Sequence, residues 1–269
     1  QADVLASTAA GAGIEARRIL CAFDFERAMC EVDGSCPPQL IRGSYIFGLN
    51  SGAKRTLDKA YLGMAEMSGL CEVRDLHWVQ RIVRDGARWR VEVDRIDTSG
   101  VVQESLIFSA RRLFVCAGTM NTTGLLLRAR AEDTIAGLPE ALGEGLGNNG
   151  QHILARQGVG VDTGMYQAGP ACAMIFDYAN RIAMENGPAP LGEINRSAQI
   201  LIGPGQGIPS ARGRVVWDDA MQRISASWSP TNDAEARDAA LSLIDRLNAA
   251  TMGERADIPG LGESITFHP

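Results

Sequence analysis

Apolar positions along this chain recur with two periods. Over 232–253, "NDAEARDAALSLIDRLNAATMG", Ala240, Leu243, Ile244 and Leu247 fall three and four residues apart. That spacing stacks them in one stripe of an α-helix. Asn232 followed by Glu235 has capping-box spacing and predicts the helix start. "ADVLASTAAGAG" reads as the end of an Ala-rich helix closed by glycine. "NSGAKRTLDKAYLGMAEMSG" places Leu57, Ala60, Tyr61, Met64 and Ala65 at helical spacing and ends at Gly69.

Elsewhere the period shortens to two. "VQRIVR", "WRVEVDRID" and "VVQESLIF", separated by the turns "DGA" and "TSG", predict a meander of antiparallel strands. The unbroken apolar run in "RRLFVCAG" predicts a strand buried on both faces. A helix follows in "NTTGLLLRAR", with Thr119, Asn121 or Thr122 available as its cap. "RRILCAFDF" and "SAQILIG" read as strands, and "RGRVVWDDAMQRISASW" as a hairpin around Asp218-Asp219. "VDGSCPPQ" and "GEGLGNNGQ" have turn and loop chemistry. The chain is mixed α and β, without internal repeat or low-complexity linker.

Its 269 residues suffice for one or two domains, and 45% hydrophobic with 22% charged residues is ordinary for a soluble globular protein. No apolar stretch is long enough to span a bilayer. The opening "QADVLASTAA" has no basic and apolar regions of a signal peptide and reads as a chain entered midway. A net charge of −6, with basic residues scattered rather than striped, argues against nucleic acid as a partner. The six cysteines form no CxxC and meet no histidines at zinc spacing, so no metal site is expected. Cys116, inside its apolar run, is expected in the core. Cys30 and Cys36 are near enough in sequence to pair. The connectivity stays open, and with it a cytoplasmic or secreted location.

Three places offer chemistry. Gly118 follows the apolar run and opens a helix, where bare backbone and unpaired N–H groups can meet a ligand. Glu185 follows the apolar "RIAM", where dehydration would raise its pKa and suit it to proton transfer. The Asn186-Gly187 after it predicts wetter surroundings. The three histidines are His77, His152 and His268, each more simply packed or solvated than catalytic. Gly11-Ala12-Gly13-Ile14-Glu15-Ala16 matches a loose GxGxxA pattern but follows a helix instead of a strand, so it reads as a helix C-cap. Neither a nucleophile-elbow serine nor HExxH occurs, which leaves hydrolase chemistry unsupported.

The ordered set "FDF", "GLNSGAKRTLDKAYL", "LHWVQRI", "RRLFVCAGTMNTTGLLLRAR", "GLGNNG", "MENGPAPLG" and "FHP" resembles the cholesterol oxidase branch of the glucose–methanol–choline flavin oxidoreductases. The resemblance implies an α/β FAD-binding domain interleaved with an α+β substrate domain, an antiparallel sheet backed by helices. Residues 1–42 would open the substrate domain, 43–152 the middle of the FAD domain, 153–266 the rest of the substrate domain, and 267–269 the start of a last catalytic segment. The family's GxGxxG segment and the stretch beyond His-Pro have no counterpart, so the resemblance implies a fragment.

By the same resemblance, His268 matches the histidine that positions and helps deprotonate the substrate hydroxyl. Glu185 matches the acid that moves a proton during double-bond isomerisation, although Asn-Gly stands after it in place of an apolar pair. The backbone of Val79 would meet adenine. Gly118 and Thr119 would lie in a flavin-side turn, and Asn149 and Gly150 in a loop beside the flavin. The implied activity is FAD-dependent oxidation of a sterol, or another bulky secondary alcohol, by a monomer. Oxygen would be the final acceptor. The alternatives are a dehydrogenase of another alcohol and a non-catalytic remnant with a sterol-sized pocket.

Overall fold

A computed structural model describes residues 1–162, 169, 171–188 and 192–256. In chain order its elements begin with α1 (Ala2–Gly11), β1 (Glu15–Arg18), α2 (Phe25–Asp33), a 3-10 turn at Ser44–Phe47, a π-turn at Asp58–Leu62 and α3 (Gly63–Met67). Next come β2 (His77–Asp85), β3 (Arg88–Ile96), β4 (Val102–Ala110), α4 (Gly118–Ala131), β5 (Glu144–Leu146) and β6 (Gln151–Gln157). Then follow β7 (Ala173–Asp177), β8 (Ile182–Glu185), α5 (Glu193–Ala198) and β9 (Leu201–Gly207). The last are β10 (Gly213–Asp218), β11 (Arg223–Ser227), a 3-10 turn at Pro230–Asp233, α6 (Ala234–Ala250) and β12 (Glu254–Arg255). Every strand pair among the described residues is antiparallel. The described fold is therefore α+β. The chain divides into two compact units that exchange at 65/66, 147/148, 210/211 and 232/233.

The first unit holds 1–65, 148–210 and 233–256 of the described residues. Its sheet has the order β1-β7-β8-β9-β6-β12. Alternation along the strands sends Leu154, Ile175, Ile182 and Met184 to one face. There they meet Leu5 and Ala9 of α1 and Ala240, Leu243, Ile244 and Leu247 of α6. The expected α6 stripe is thus the core. Its capping box does not form. Asp233 is the N-cap, without a side-chain cap bond, and its carboxylate instead accepts from the Asn148 side chain. Glu235 accepts from Ser210 N–H at 3.1 Å. Tertiary partners outcompete the local ones.

The far end of α6 is closed by a residue from the sheet. Arg156 is 2% exposed, and its guanidinium donates to Asn248 Oδ1 (2.7 Å), Thr251 Oγ1 (2.9 Å) and the carbonyls of Leu247 (3.4 Å) and Met252 (3.1 Å). A cation there complements the negative end of the helix dipole. Burial lowers its pKa to about 10, so it stays charged at neutral pH.

The second unit holds 66–147 and 211–232. The predicted meander is present as β2-β3-β4, and the predicted hairpin as β10-β11, joined by β5. The loop read in "GEGLGNNGQ" therefore contains a short strand. Helix α4 lies between these two sheets. Its Leu125 and Leu126 pack with Ile82, Val91 and Val93 of the meander, while Leu127 packs with Leu146 and Val215. Three consecutive leucines suit a helix covered on more than one side. Thr122 Oγ1 accepts from the N–H of Ala117 at 3.0 Å, so of the three candidate caps Thr122 is the one that reaches back.

Three expectations need correction. "RRLFVCAG" is not a strand buried on both faces: 111–117 pairs with no strand among the described residues. Leu113 and Val115 pack inward, but Phe114 is 83% exposed and Cys116 is exposed too. One face is covered and the other is not. The helix expected over 50–69 is confined to the π-turn and α3, where Leu57, Tyr61 and Met64 stand exposed. The strand in "RRILCAFDF" stops at Arg18. By contrast, Gly11-Ala12-Gly13 does end α1, with Gly13 at φ +68° and strand β1 after it. No dinucleotide-type helix follows those glycines.

Candidate functional site

Glu185 ends β8, opposite Met174 of β7. Buried Ile182 and Met184 point to the helices, so Ala183 and Glu185 point to the other face of the sheet. The register places Met174, Phe176, Ile153, Pro204 and Ile202 on that same face, all half-buried. Glu185 is thus a carboxyl on a mostly apolar surface. Partial burial pushes its pKa above the usual carboxylate range. The Tyr45 phenol, in the 3-10 turn at Ser44–Phe47, is also raised, first by burial and then by the charge of Glu185. The two groups share one dehydrated neighbourhood, and a carboxyl so placed can hold or pass a proton nearer neutral pH.

Asn186 does not make this place wet. It is 3% exposed, and its Oδ1 accepts from the N–H groups of Cys172 and Ala173, both at 2.8 Å. Its Nδ2 donates to Gly169 O at 3.1 Å. The amide stands in for main-chain partners at the start of β7. Gly187 and Pro188 are buried as well.

The loop before β6 belongs to this unit. Asn148 accepts from Gly150 N–H at 3.1 Å and donates to Asp233, while Asn149 is exposed. Gly150 has φ +59°, and a Cβ there would fall 2.5 Å from Gly207 O. Only glycine fits, and close packing of the chain on itself accounts for it. His152 follows at 2% exposure, with no hydrogen-bond partner on either ring nitrogen. Burial lowers its pKa, opposed by the charge of Asp233 and reinforced by that of Arg237.

The second unit has a groove of ≈ 540 Å³ lined by Trp78, Val79 and Gln80 of β2, Asn121 and Arg128 of α4, and Trp217 of β10. The strand bulges between Val79 and Arg81, and the Gln80 carbonyl there accepts from Arg128 at 3.1 Å. Arg128 also lies over the Trp217 ring, 5.6 Å from its centroid, and pairs with Glu132 at 2.8 Å. Arg81 bonds to Glu132 at 2.6 Å and to Glu92 at 3.1 Å. Glu132 thus ties Arg128, which lines the groove, to Arg81 of β2. Trp78 is 59% exposed, an open ring surface suited to stacking a planar group. Gly118 opens α4 at φ +78° with open space where a Cβ would lie. The first turn of α4 therefore offers bare N–H groups to an anion.

The residues expected at a site fall out as follows. Val79, Gly118 and Thr119 lie in the second unit, and Asn149, Gly150 and Glu185 in the first. Of Val79, Gly118 and Thr119, only Val79 lines the groove. His268 lies outside the described residues. Tyr45 and Trp78 were missed. Tyr45 sits 140 residues from Glu185 in sequence, and nothing local signals their proximity. No group of three or more metal-ligating side chains occurs among the described residues, and none of their helices is long and apolar enough to cross a membrane.

No family model matches the chain. Over 114 residues it is 34% identical to cholesterol oxidase from two strains of Mycobacterium tuberculosis. The match covers 42% of this chain and 19% of each relative. The chain thus spans about a fifth of the length of the curated relatives it matches. The likeness is to an oxidoreductase.

Proposed function

We propose that the protein carrying this chain is an FAD-dependent oxidoreductase that oxidises the hydroxyl of a sterol, or a comparable bulky secondary alcohol, to a ketone. The observation that carries the reading is the 34% identity to cholesterol oxidase over 114 residues. The half-buried Glu185 on an apolar sheet face supports it. An interleaved FAD-binding α/β domain and substrate domain, divided as in the family, is part of the proposal.

The residues present suit the cofactor in part. The Trp78–Val79 edge of the second-unit groove fits a planar ring, and the N-terminus of α4 with Gly118 and Thr119 fits an anionic or flavin-side group. Asn149 and Gly150 would form the loop beside it. Bound FAD supplies the hydride acceptor, and oxygen would take the electrons on to hydrogen peroxide. The chain's own part is position and protons. His268 takes the hydroxyl proton as the carbinol hydrogen leaves. The half-buried apolar face of the first unit's sheet excludes water from a hydrocarbon skeleton. Glu185, held part-way to neutral, carries a proton between carbons when a ring double bond shifts.

The test is direct. The purified protein should be yellow, show a flavin absorbance band, and convert cholesterol to a ketone with uptake of oxygen. Absence of both flavin and ketone sinks the proposal. Flavin with a ketone from another alcohol only would move the substrate and keep the chemistry.

A further inference from the structure

We propose that Cys30 and Cys36 form a redox-active dithiol, a modification site that hydrogen peroxide closes into an intramolecular disulfide. Helix α2 ends at Gly34, which is left-handed at φ +80°. The chain then turns back on itself, and Cys36 N–H donates to Cys30 O at 3.1 Å. That bond joins the last turns of the helix to a residue just past its cap and brings the two main chains together, the close approach that a disulfide requires.

Ser35 Oγ lies 3.1 Å from Cys30 Sγ, and Cys36 Sγ lies 4.0 Å from Arg27 O, so both thiols point into the same turn. The backbone on the far side is locked. Glu31, 3% exposed, accepts from the N–H groups of Gln39 (2.9 Å) and Ile41 (3.1 Å). The turn that presents the two thiols is therefore braced by Glu31. Both cysteines are free thiols and half-exposed, and a groove of ≈ 390 Å³ opens beside Cys36, Pro37 and Ile41. The neighbouring Cys30 pushes the Cys36 thiol up to about 11, a second sign that the sulfurs are close.

The chemistry balances with one peroxide. One thiolate attacks the O–O bond, forming a sulfenic acid and releasing hydroxide, which takes up a proton as water. The second sulfur attacks the sulfenic sulfur, the S–O bond breaks, and a second water leaves. The protein loses two hydrogen atoms and the peroxide is reduced to two waters. The thiol geometry, not the proposed reaction, carries this site.

The protein is treated with hydrogen peroxide, alkylated and digested with trypsin. Cys30 and Cys36 lie together in the tryptic peptide 28–42. That peptide should lose two hydrogens, resist alkylation, and regain two alkylatable thiols with dithiothreitol. The reaction should quicken about tenfold from pH 7 to pH 8, because the thiolate is the nucleophile. In Cys36→Ser, with a circular dichroism spectrum matching the parent, Cys30 should stop at a sulfenic acid that dimedone traps. Peptide 28–42 left fully alkylatable while exposed Cys71 and Cys116 oxidise would overturn the site. So would linkage of Cys30 or Cys36 to any other cysteine.

Discussion

Glu185 and Asn186 are neighbours, and the fold uses them in opposite ways. Asn186 spends its amide on main-chain partners, whereas Glu185 is left on a half-dry face. A carboxyl whose folded pKa is raised disfavours the folded state once it must ionise there. Its stability contribution is complete below the unfolded value near 4.3 and is lost as pH rises through the folded value. Glu185→Gln should therefore raise the urea midpoint at pH 8 and leave it nearly unchanged at pH 4. Equal midpoints at both pH values would mean a solvated carboxylate. In the proposed oxidoreductase the same change should slow double-bond isomerisation more than alcohol oxidation, since hydride loss needs no acid at the ring. His152 gives the opposite slope. Its folded pKa is lowered, so stability is intact above the unfolded value near 6.5 and falls as pH drops towards the folded value. His152→Leu should remove that acid loss, and denaturant titrations at pH 7.5 and 5.5 would show it as a smaller gap between the two. The apolar run before Glu185 signals its dehydration, whereas nothing local signals the burial of His152. Asn-Gly after Glu185 reads as a wet turn, and only the pairing of β7 with β8 shows why it is dry.

At the scale of elements, α6 was legible almost residue by residue. Ala240, Leu243, Ile244 and Leu247 are each at most 2% exposed. Leu243→Ala should cost about 3 kcal/mol or more, measured by urea unfolding, because the cavity adds to the lost transfer energy. A loss below about 1 kcal/mol would mean the helix does not hold the core. The ends of α6 were not legible: Asp233 bonds with Asn148, 85 residues away, and Arg156 reaches its last turn from strand β6. The meander and the β10-β11 hairpin were also readable, because their alternation and short turns are local. Strands β5, β6, β7, β8 and β12 were missed. Apolar, glycine-bounded segments such as 151–157 carry little alternation once both sheet faces are partly covered.

On the scale of the whole molecule, two units each carry a core of their own, and the residues expected around one cofactor are shared between them. His268 is the sharpest test of the proposed flavin enzyme. In that protein His268→Gln should keep flavin bound and cut turnover by roughly 10²-fold or more, the usual scale for a general acid–base group. Wild-type turnover would make the histidine structural. The sequence by itself determined the α6 stripe, the meander, the hairpin and the α1 stop. Those features rest on periodicity and turn chemistry within some twenty residues. Tertiary structure alone decided that Phe114 faces outward, that Tyr45 neighbours Glu185, that His152 is buried without a partner, and that Cys36 folds back onto Cys30. Each depends on which surface covers a residue, and in most of them that surface comes from distant chain.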